Sequence, residues 1–465
     1  MRINLYAWLL PCMLMLVPSA QADSLEELQA LKKQMRLMQE KIDAIETKLK
    51  ASEASKDAAM TGVEPVPSRP VQVDAAPEGA AEAVASADVS NVPLNAAANA
   101  NAFNPQISFV LNGGYRAFAR DPALFAVPGF APGDAAGIGD RGLGINESEL
   151  NLAANVDNRF YASTTLSLAP GGGLTVEEAY ARTLDLPAGM TLKGGRFFSG
   201  IGYINEFHPH HDDFIDRSLA NRVFLNTTFA GDGLQMRWLA PTDTYLELGG
   251  ELLRGDRWPG GGAGLRGSGS WDAFVRAGGD VGFSNSWLAG LSWLGTKPVG
   301  RQSFDNAGAV TGTFDGTSHL MIADLVWKWA PNGNPVDRNF KFQAELFAGR
   351  EAGIFTGAAT LSGSLNSNRR GGYAEAVYQF THGWNVGLRY SGVYAGNNGS
   401  AVAPGGLLDS AGYHPWRTSL VLGYANSEFS RFRLQLSRDR SQTRADSQLA
   451  LQYIMLIGAH GAHQF

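Results

Sequence analysis

The sequence predicts an all-β protein, a transmembrane antiparallel β-barrel of about 16 strands preceded by an N-terminal α-helical coiled coil. Three observations predict it. Segments of roughly ten residues with period-two alternation run from Ile107 to Phe465. The connections between them are alternately short and long. After the N-terminal leader, no stretch reaches the ~18 consecutive apolar residues that a membrane helix needs.

Composition agrees with this class. Glycine supplies 56 of 465 residues and charged residues 18%, against usual shares of ~7% and ~25%. Scattered glycine and aromatic residues suit many strands and turns. The net charge of −6 offers no basic patch to a nucleic-acid backbone, so no nucleic-acid partner is expected.

In chain order, Arg2, the apolar run Leu5 to Val17 and Ala20-Gln21-Ala22 read as a secretory signal peptide over residues 1–22. Its Cys12 is the one cysteine of the chain, so cleavage removes disulfides and thiol catalysis together. Over residues 23–52, Leu28, Met35, Ile42 and Leu49 recur every seven residues, with Leu31, Met38 and Ile45 at the companion positions. That is a periplasmic coiled coil, and isoleucine at both kinds of position leans toward a trimer. Residues 53–104 are rich in Ala and Pro with no aromatic before Phe103; too little apolar surface is present to order them, which predicts a disordered linker.

Residues 105–465 form the predicted barrel. Phe432, Leu434 and Leu436 alternate with Arg431, Arg433, Gln435 and Ser437; Phe340, Phe342, Ala344 and Leu346 alternate with Lys341, Gln343 and Glu345. Short turns fall at 156–159, 186–189, 240–243, 283–286, 330–339, 381–383 and 425–428. Longer loops are expected at 121–144, 169–173, 197–229, 254–268, 297–316, 352–370, 395–412 and 440–445. Short periplasmic turns and long outer loops are the pattern of an outer-membrane barrel, with lipid as its surroundings. Tyr245, Trp287, Trp293, Trp327, Trp329, Trp384 and Tyr424 crowd strand ends, where interfacial girdles belong. The last strand turns Leu449, Leu451, Tyr453, Met455 and Ile457 outward and runs to a terminal Phe465.

A barrel of this size can hold an aqueous channel. The inward positions predict a polar lining of both signs: Glu149, Glu178, Glu247, Asp324, Glu345 and Glu375 against Arg276, Lys341, Arg389, Arg417, Arg431 and Arg433. Such charges set ion preference or simply brace one another. The third long loop carries Glu206, His208, His210, His211, Asp212 and Asp213, with three of the eight histidines between positions 208 and 211. Imidazole and carboxylate together suit zinc, either bound at the loop or in transit, and a site of neutral imidazoles weakens on acidification. No other cofactor is implied.

Gly194 to Glu206 with the histidines and Phe214-Ile215-Asp216 that follow, together with Trp238 to Asp243 and Gly279 to Gly282, resemble a proteobacterial outer-membrane family often labelled zinc-regulated outer-membrane protein or TonB-dependent receptor. The resemblance covers the barrel and implies an outer-membrane location, a link to zinc supply and, as in sixteen-stranded porins, a third loop folded into the lumen. Residues 23–104 read as coiled coil and linker and leave no room for a plug domain, so a porin-like channel fits better than a receptor.

The expected function is a passive outer-membrane diffusion channel, a homotrimer with its N-terminal region in the periplasm, favouring zinc through the third loop. An anion- or sugar-selective porin is one alternative. Another is an envelope tether in which the coiled coil reaches peptidoglycan or a periplasmic partner and the barrel serves as anchor. No Ser/His or Asp/His catalytic constellation is present in the sequence, so an enzyme is not expected.

Overall fold

The computed structural model describes residues 106–169, 172–261, 268–358 and 362–458. The signal peptide, coiled coil, linker and Phe465 lie outside the described residues. The chain forms β1 (Gln106–Phe118), β2 (Gly142–Ile145), β3 (Ser148–Asn155), β4 (Phe160–Leu168), β5 (Leu174–Thr183), β6 (Met190–Phe198), β7 (Ala230–Leu239), β8 (Tyr245–Leu253) and β9 (Ser270–Val281). It continues through β10 (Asn285–Thr296), β11 (Arg301–Phe304), β12 (Val310–Trp329), β13 (Asn339–Gly357), β14 (Ser362–Thr381), β15 (Trp384–Asn398), β16 (Trp416–Ser427), β17 (Ser430–Arg440) and β18 (Asp446–Gly458).

Sixteen antiparallel strands close the barrel. β1 pairs with both β18 and β3, which removes the sheet edge. The two short segments are accessories: β2 pairs with β1 beside Gly113 to Arg116, and β11 folds back onto β12, while β10 pairs directly with β12 along its length.

The alternation sorts the faces as expected, with polarity reversed relative to a water-soluble core. On β13 and β15, Leu346 is 65% and Leu388 55% exposed, whereas Glu345 is 1% and Arg389 3% exposed. A belt of exposed leucine, phenylalanine and tryptophan around a polar interior is stable against hydrocarbon rather than water. Aromatic side chains cluster at the ends of the belt. Trp287 faces Trp327 across β10 and β12 and Trp384 packs on Tyr424 at the turn end, while at the other end Trp293 stacks on His319 and meets Trp271 edge-on.

Two expectations need correction. Residues 352–370 are not a loop, because β13 and β14 run on as strands of 19 and 20 residues. Likewise β12 begins at Val310, well before the expected loop end at 316. In these extensions the outward residues are Ser362, Ser364, Asn366 and Asn368, and the inward ones Leu365 and Ser367. Beyond the lipid the outward face is polar, so hydrophobic alternation disappears although the pleat continues.

The upper lumen holds an apolar cluster. Val127 and Phe130 from the first loop and Leu219, Val223, Phe224 and Phe229 from the third meet Leu320, Ile322, Phe347 and Val393 of the wall.

The outward face generates a direct test. Leu346→Arg is expected to destabilise the barrel by about 2–4 kcal/mol if it lies in hydrocarbon near the bilayer midplane, read as a lowered urea midpoint in lipid vesicles. A change within about 0.5 kcal/mol, as for a solvated surface site, would remove the lipid-facing assignment.

Candidate functional site

Hydrogen bonds from the whole circumference of the wall converge on the third loop, which places that loop inside the lumen. Glu251 accepts from the Gly200 N–H and Arg276 donates to the Gly200 and Gly202 carbonyls. The hydroxyl of Ser292 accepts from the Gly202 N–H. Glu345 accepts from the Tyr203 and Ile204 N–H groups, at 2.7 and 3.1 Å, and from the Asn221 amide. On the far side Arg389, Arg417, Arg431 and Arg433 reach Asp216 or the carbonyls of His210, Asp212 and Phe214.

Local sequence explains the path. Gly202 has φ +67, and a Cβ there would meet Glu345 Oε1 at 2.8 Å, so glycine lets the backbone approach its carboxylate anchor. Asn205 closes the neck, donating to the carbonyls of Ser199 and Phe229 and accepting from the Phe229 N–H. Ser218 caps the helix α1 (Leu219–Leu225), and Asn226 ends it in the left-handed conformation. From α1, Phe224 stacks on Phe347 at 5.3 Å.

The six loop residues singled out from sequence fall into separate environments. Glu206 pairs with Arg237 and, at 2.9 Å, with Arg276. Burial raises its carboxyl pKa, but these two arginines prevail and hold it at about 2. Asp212 lies 2.6 Å from Arg217; burial there outweighs the cation and raises it to about 6. Asp213 pairs with Lys341. His208, Pro209, His210 and His211 form a single 3₁₀ turn and its cap, with the rings of His208 and His210 5.6 Å apart and His211 against His210 at 4.2 Å.

His208 and His210 meet glutamates of the wall instead of the loop's own carboxylates. His208 Nε2 lies 2.9 Å from Glu178 Oε2, and its Nδ1 lies 3.0 Å from Glu149 Oε2 and 3.4 Å from Glu177 Oε2. His210 Nδ1 lies 2.9 Å from Glu149 Oε1. Burial pulls the His208 pKa down, but Glu149 and Glu177 outweigh it and hold the imidazole well above its usual value. For His210 burial dominates and lowers the pKa despite Glu149.

Glu177 escaped the sequence reading. Consecutive strand residues face opposite sides, yet a β-bulge breaks the register between Thr165 and Leu166, so that Glu178 and Val176 have partners and Glu177 does not. Both glutamates thereby face the lumen. The Glu177-Glu178 doublet was the one available signal.

The inferred lining residues occupy the inner wall. Glu149, Asp324, Glu345, Glu375, Arg389, Arg417 and Arg433 are buried; Glu178, Glu247 and Arg431 are partly so. Glu247 joins Arg237 and Arg276, and Glu375 lies 4.0 Å from Arg389. Asp324 and Glu345 are adjacent across β12 and β13. Side chains facing open water would be exposed, so the third loop fills the midsection. A small cavity, about 20 Å³, remains between loop and wall, lined by residues including Arg116, Asp216, Arg222, Arg417, Gln435 and Gln448.

Asp216 is the most heavily paired loop residue. It lies 2.6 Å from Arg417, 2.5 Å from Arg389 and 3.1 Å from Arg222. Burial raises its pKa, but these arginines drive it far below the ordinary 3.8. Its contribution to stability is therefore complete above pH 3.8 and declines as pH falls toward the depressed folded value. Asp216→Asn is expected to destabilise the folded protein by about 3–5 kcal/mol, because three buried cations lose the anion they share, and to flatten the acid limb of the stability profile. Urea midpoints measured from neutral pH to pH 2 check both effects; a variant with an unchanged midpoint contradicts the pairing.

No family model matches the chain. Among solved structures it is similar to OprB of Pseudomonas putida, with 11% identity and a TM-score of 0.49 over 76% of this chain and 94% of that one. It is also similar to OmpF of Salmonella typhi, with 9% identity and a TM-score of 0.48 over 76% and 97%. The outer membrane channel DcaP of Acinetobacter baumannii matches with 10% identity and a TM-score of 0.47 over 76% and 97%. By sequence, an uncharacterized protein of Aquifex aeolicus (strain VF5) is 30% identical over 344 residues, covering 70% of each chain. At that identity and coverage, the chain belongs to the same family as the Aquifex aeolicus protein.

Proposed function

We propose that the chain is a porin-like diffusion channel of the outer membrane, passive and homotrimeric, which favours divalent cations such as zinc at its third loop. The observation that carries this reading is the charged lining of the lumen, in which one group of glutamates meets the loop histidines and one group of cations meets the loop's carboxylates and carbonyls. Glu149, Glu177 and Glu178 face the loop from β3 and β5, whereas Lys341, Arg389, Arg417, Arg431 and Arg433 face it from β13, β15, β16 and β17. A charged lining selects among charged solutes, and an apolar-belted barrel needs no such lining merely to sit in lipid. The acidic side, where the histidines lie, is the cation path.

The N-terminal residues 23–52 are read as a periplasmic coiled coil that promotes trimerisation and contacts peptidoglycan or a periplasmic partner. Catalysis is no part of the reading: His319 stacks on Trp293 at 5.4 Å and His414 on Tyr394 at 5.2 Å, both in aromatic packing.

A second reading, an envelope tether anchored by the barrel, is favoured by one observation, the burial of the charged midsection. Deleting residues 23–104 separates the two, since a tether loses envelope integrity while a channel keeps its permeability.

Planar-bilayer recording tests the channel directly. Small single-channel steps are expected, with a reversal potential of cation sign under a salt gradient and conductance that responds to zinc. Absence of steps overturns the channel, and a reversal potential of anion sign overturns the cation preference in favour of the basic wall.

A further inference from the structure

We infer that Glu149, Glu177, His208 and His210 form a resident site for one divalent transition-metal ion, and that the bound ion bolts the third loop to the β3–β5 wall. This goes beyond a permeating cargo ion and does not require the pore to conduct. It also differs from a site made by the loop alone.

The donor geometry carries the inference. One ligand atom from each of Glu149, His208 and His210 lies within 4.8 Å of the others. Bonds of about 2.0–2.2 Å in a tetrahedral site put ligand atoms roughly 3.3 Å apart. The separations are 2.9 Å for His210 Nδ1 to Glu149, 3.0 Å for His208 Nδ1 to Glu149 and 3.4 Å for His208 Nδ1 to Glu177. Small rotations therefore bring two imidazole nitrogens and two carboxylate oxygens around one ion. This mixed donor set suits zinc, and cobalt or nickel after it, better than calcium or magnesium, which prefer oxygen alone.

Three independent features point the same way. His208 Nε2 sits 2.9 Å from Glu178 Oε2, the outer carboxylate that orients a metal-ligating histidine and frees its other nitrogen. His208 Nδ1 is buried between Glu149 Oε2 and Glu177 Oε2, at 3.0 and 3.4 Å, so one imidazole nitrogen already lies against two carboxylates. The bulge that turns Glu177 inward adds a fourth donor that regular pleating would have sent to lipid. By contrast, Glu206, Asp212 and Asp213 are each held by an arginine or lysine, and ligation by them would strand a buried cation.

Such an ion would join β3, β5 and the Pro209–His211 turn, three parts of the chain far apart in sequence. On the opposite wall the same loop is held by arginines. The metal then fixes the acidic half of the loop as the arginines fix the basic half.

The full chain, folded in detergent micelles and stripped with EDTA, is titrated calorimetrically with zinc chloride. One site per chain is expected, with affinity lowered about 10–100-fold in Glu149→Gln and in the His208→Ala/His210→Ala double variant, and held within about twofold in Asp213→Asn. Heat-modifiable migration on gels shows that each variant retains its barrel. Hydrogen exchange on the unaltered protein gives a readout without any substitution: zinc is expected to slow exchange of amides 206–216. Failure to bind zinc, equal weakening by Asp213→Asn, or unchanged exchange over 206–216 overturns the site. Tight binding with these signatures in a barrel that does not conduct leaves this site standing and removes the channel reading alone.

Discussion

The apolar exterior of the barrel confines the polar half of every strand to the lumen, and whatever fills the lumen must answer those groups one by one. This is the constraint on which the rest of the structure depends. Glu345 and Arg389 lie beside the outward-facing Leu346 and Leu388 and are almost wholly buried. A buried charge without a partner is costly. The third loop supplies the partners: Asp216 for the arginines, backbone N–H groups for Glu345, and imidazoles for Glu149 and Glu178.

Buried ion pairs seldom add much net stability, because desolvation offsets most of the attraction. What they impose is one arrangement. Asp216 with three arginines and Glu206 with two cannot exchange places with Asp212 or Asp213 without leaving cations unpaired. The apolar contacts of Phe224 and Leu219 provide burial energy at the other end of the loop. Position is thus set by charge matching and cohesion by the aromatic cluster.

The sequence made the barrel readable because lipid-facing alternation is a strong local signal: the Phe432, Leu434, Leu436 series appears where the pattern put it, and each of the seven short turns falls within about two residues of its expected place. Where the outer face becomes polar, as over Ser362 to Asn368, that signal vanishes and strand was read as loop. At the site, the histidines and the lining charges were visible as residue types, but their partnerships were not. The union of His208 with Glu149 spans 59 positions and depends on barrel closure and on the direction taken by the loop, neither of which is encoded locally. Glu177 was hidden for a different reason, since strict alternation assigns it outward and only a register shift brings it in.

The two walls bear unequally on the loop. On the basic side arginines contact carbonyls as well as Asp216, so the backbone itself is gripped at His210, Asp212 and Phe214. On the acidic side Glu149 and Glu178 reach the same turn through the imidazole rings of His208 and His210. Imidazole differs from guanidinium in that its charge is variable and its nitrogens can exchange a proton for a metal. The Pro209–His211 turn therefore has two kinds of anchor, guanidinium contacts of fixed charge on one flank and imidazole contacts that can take up a proton or a metal on the other.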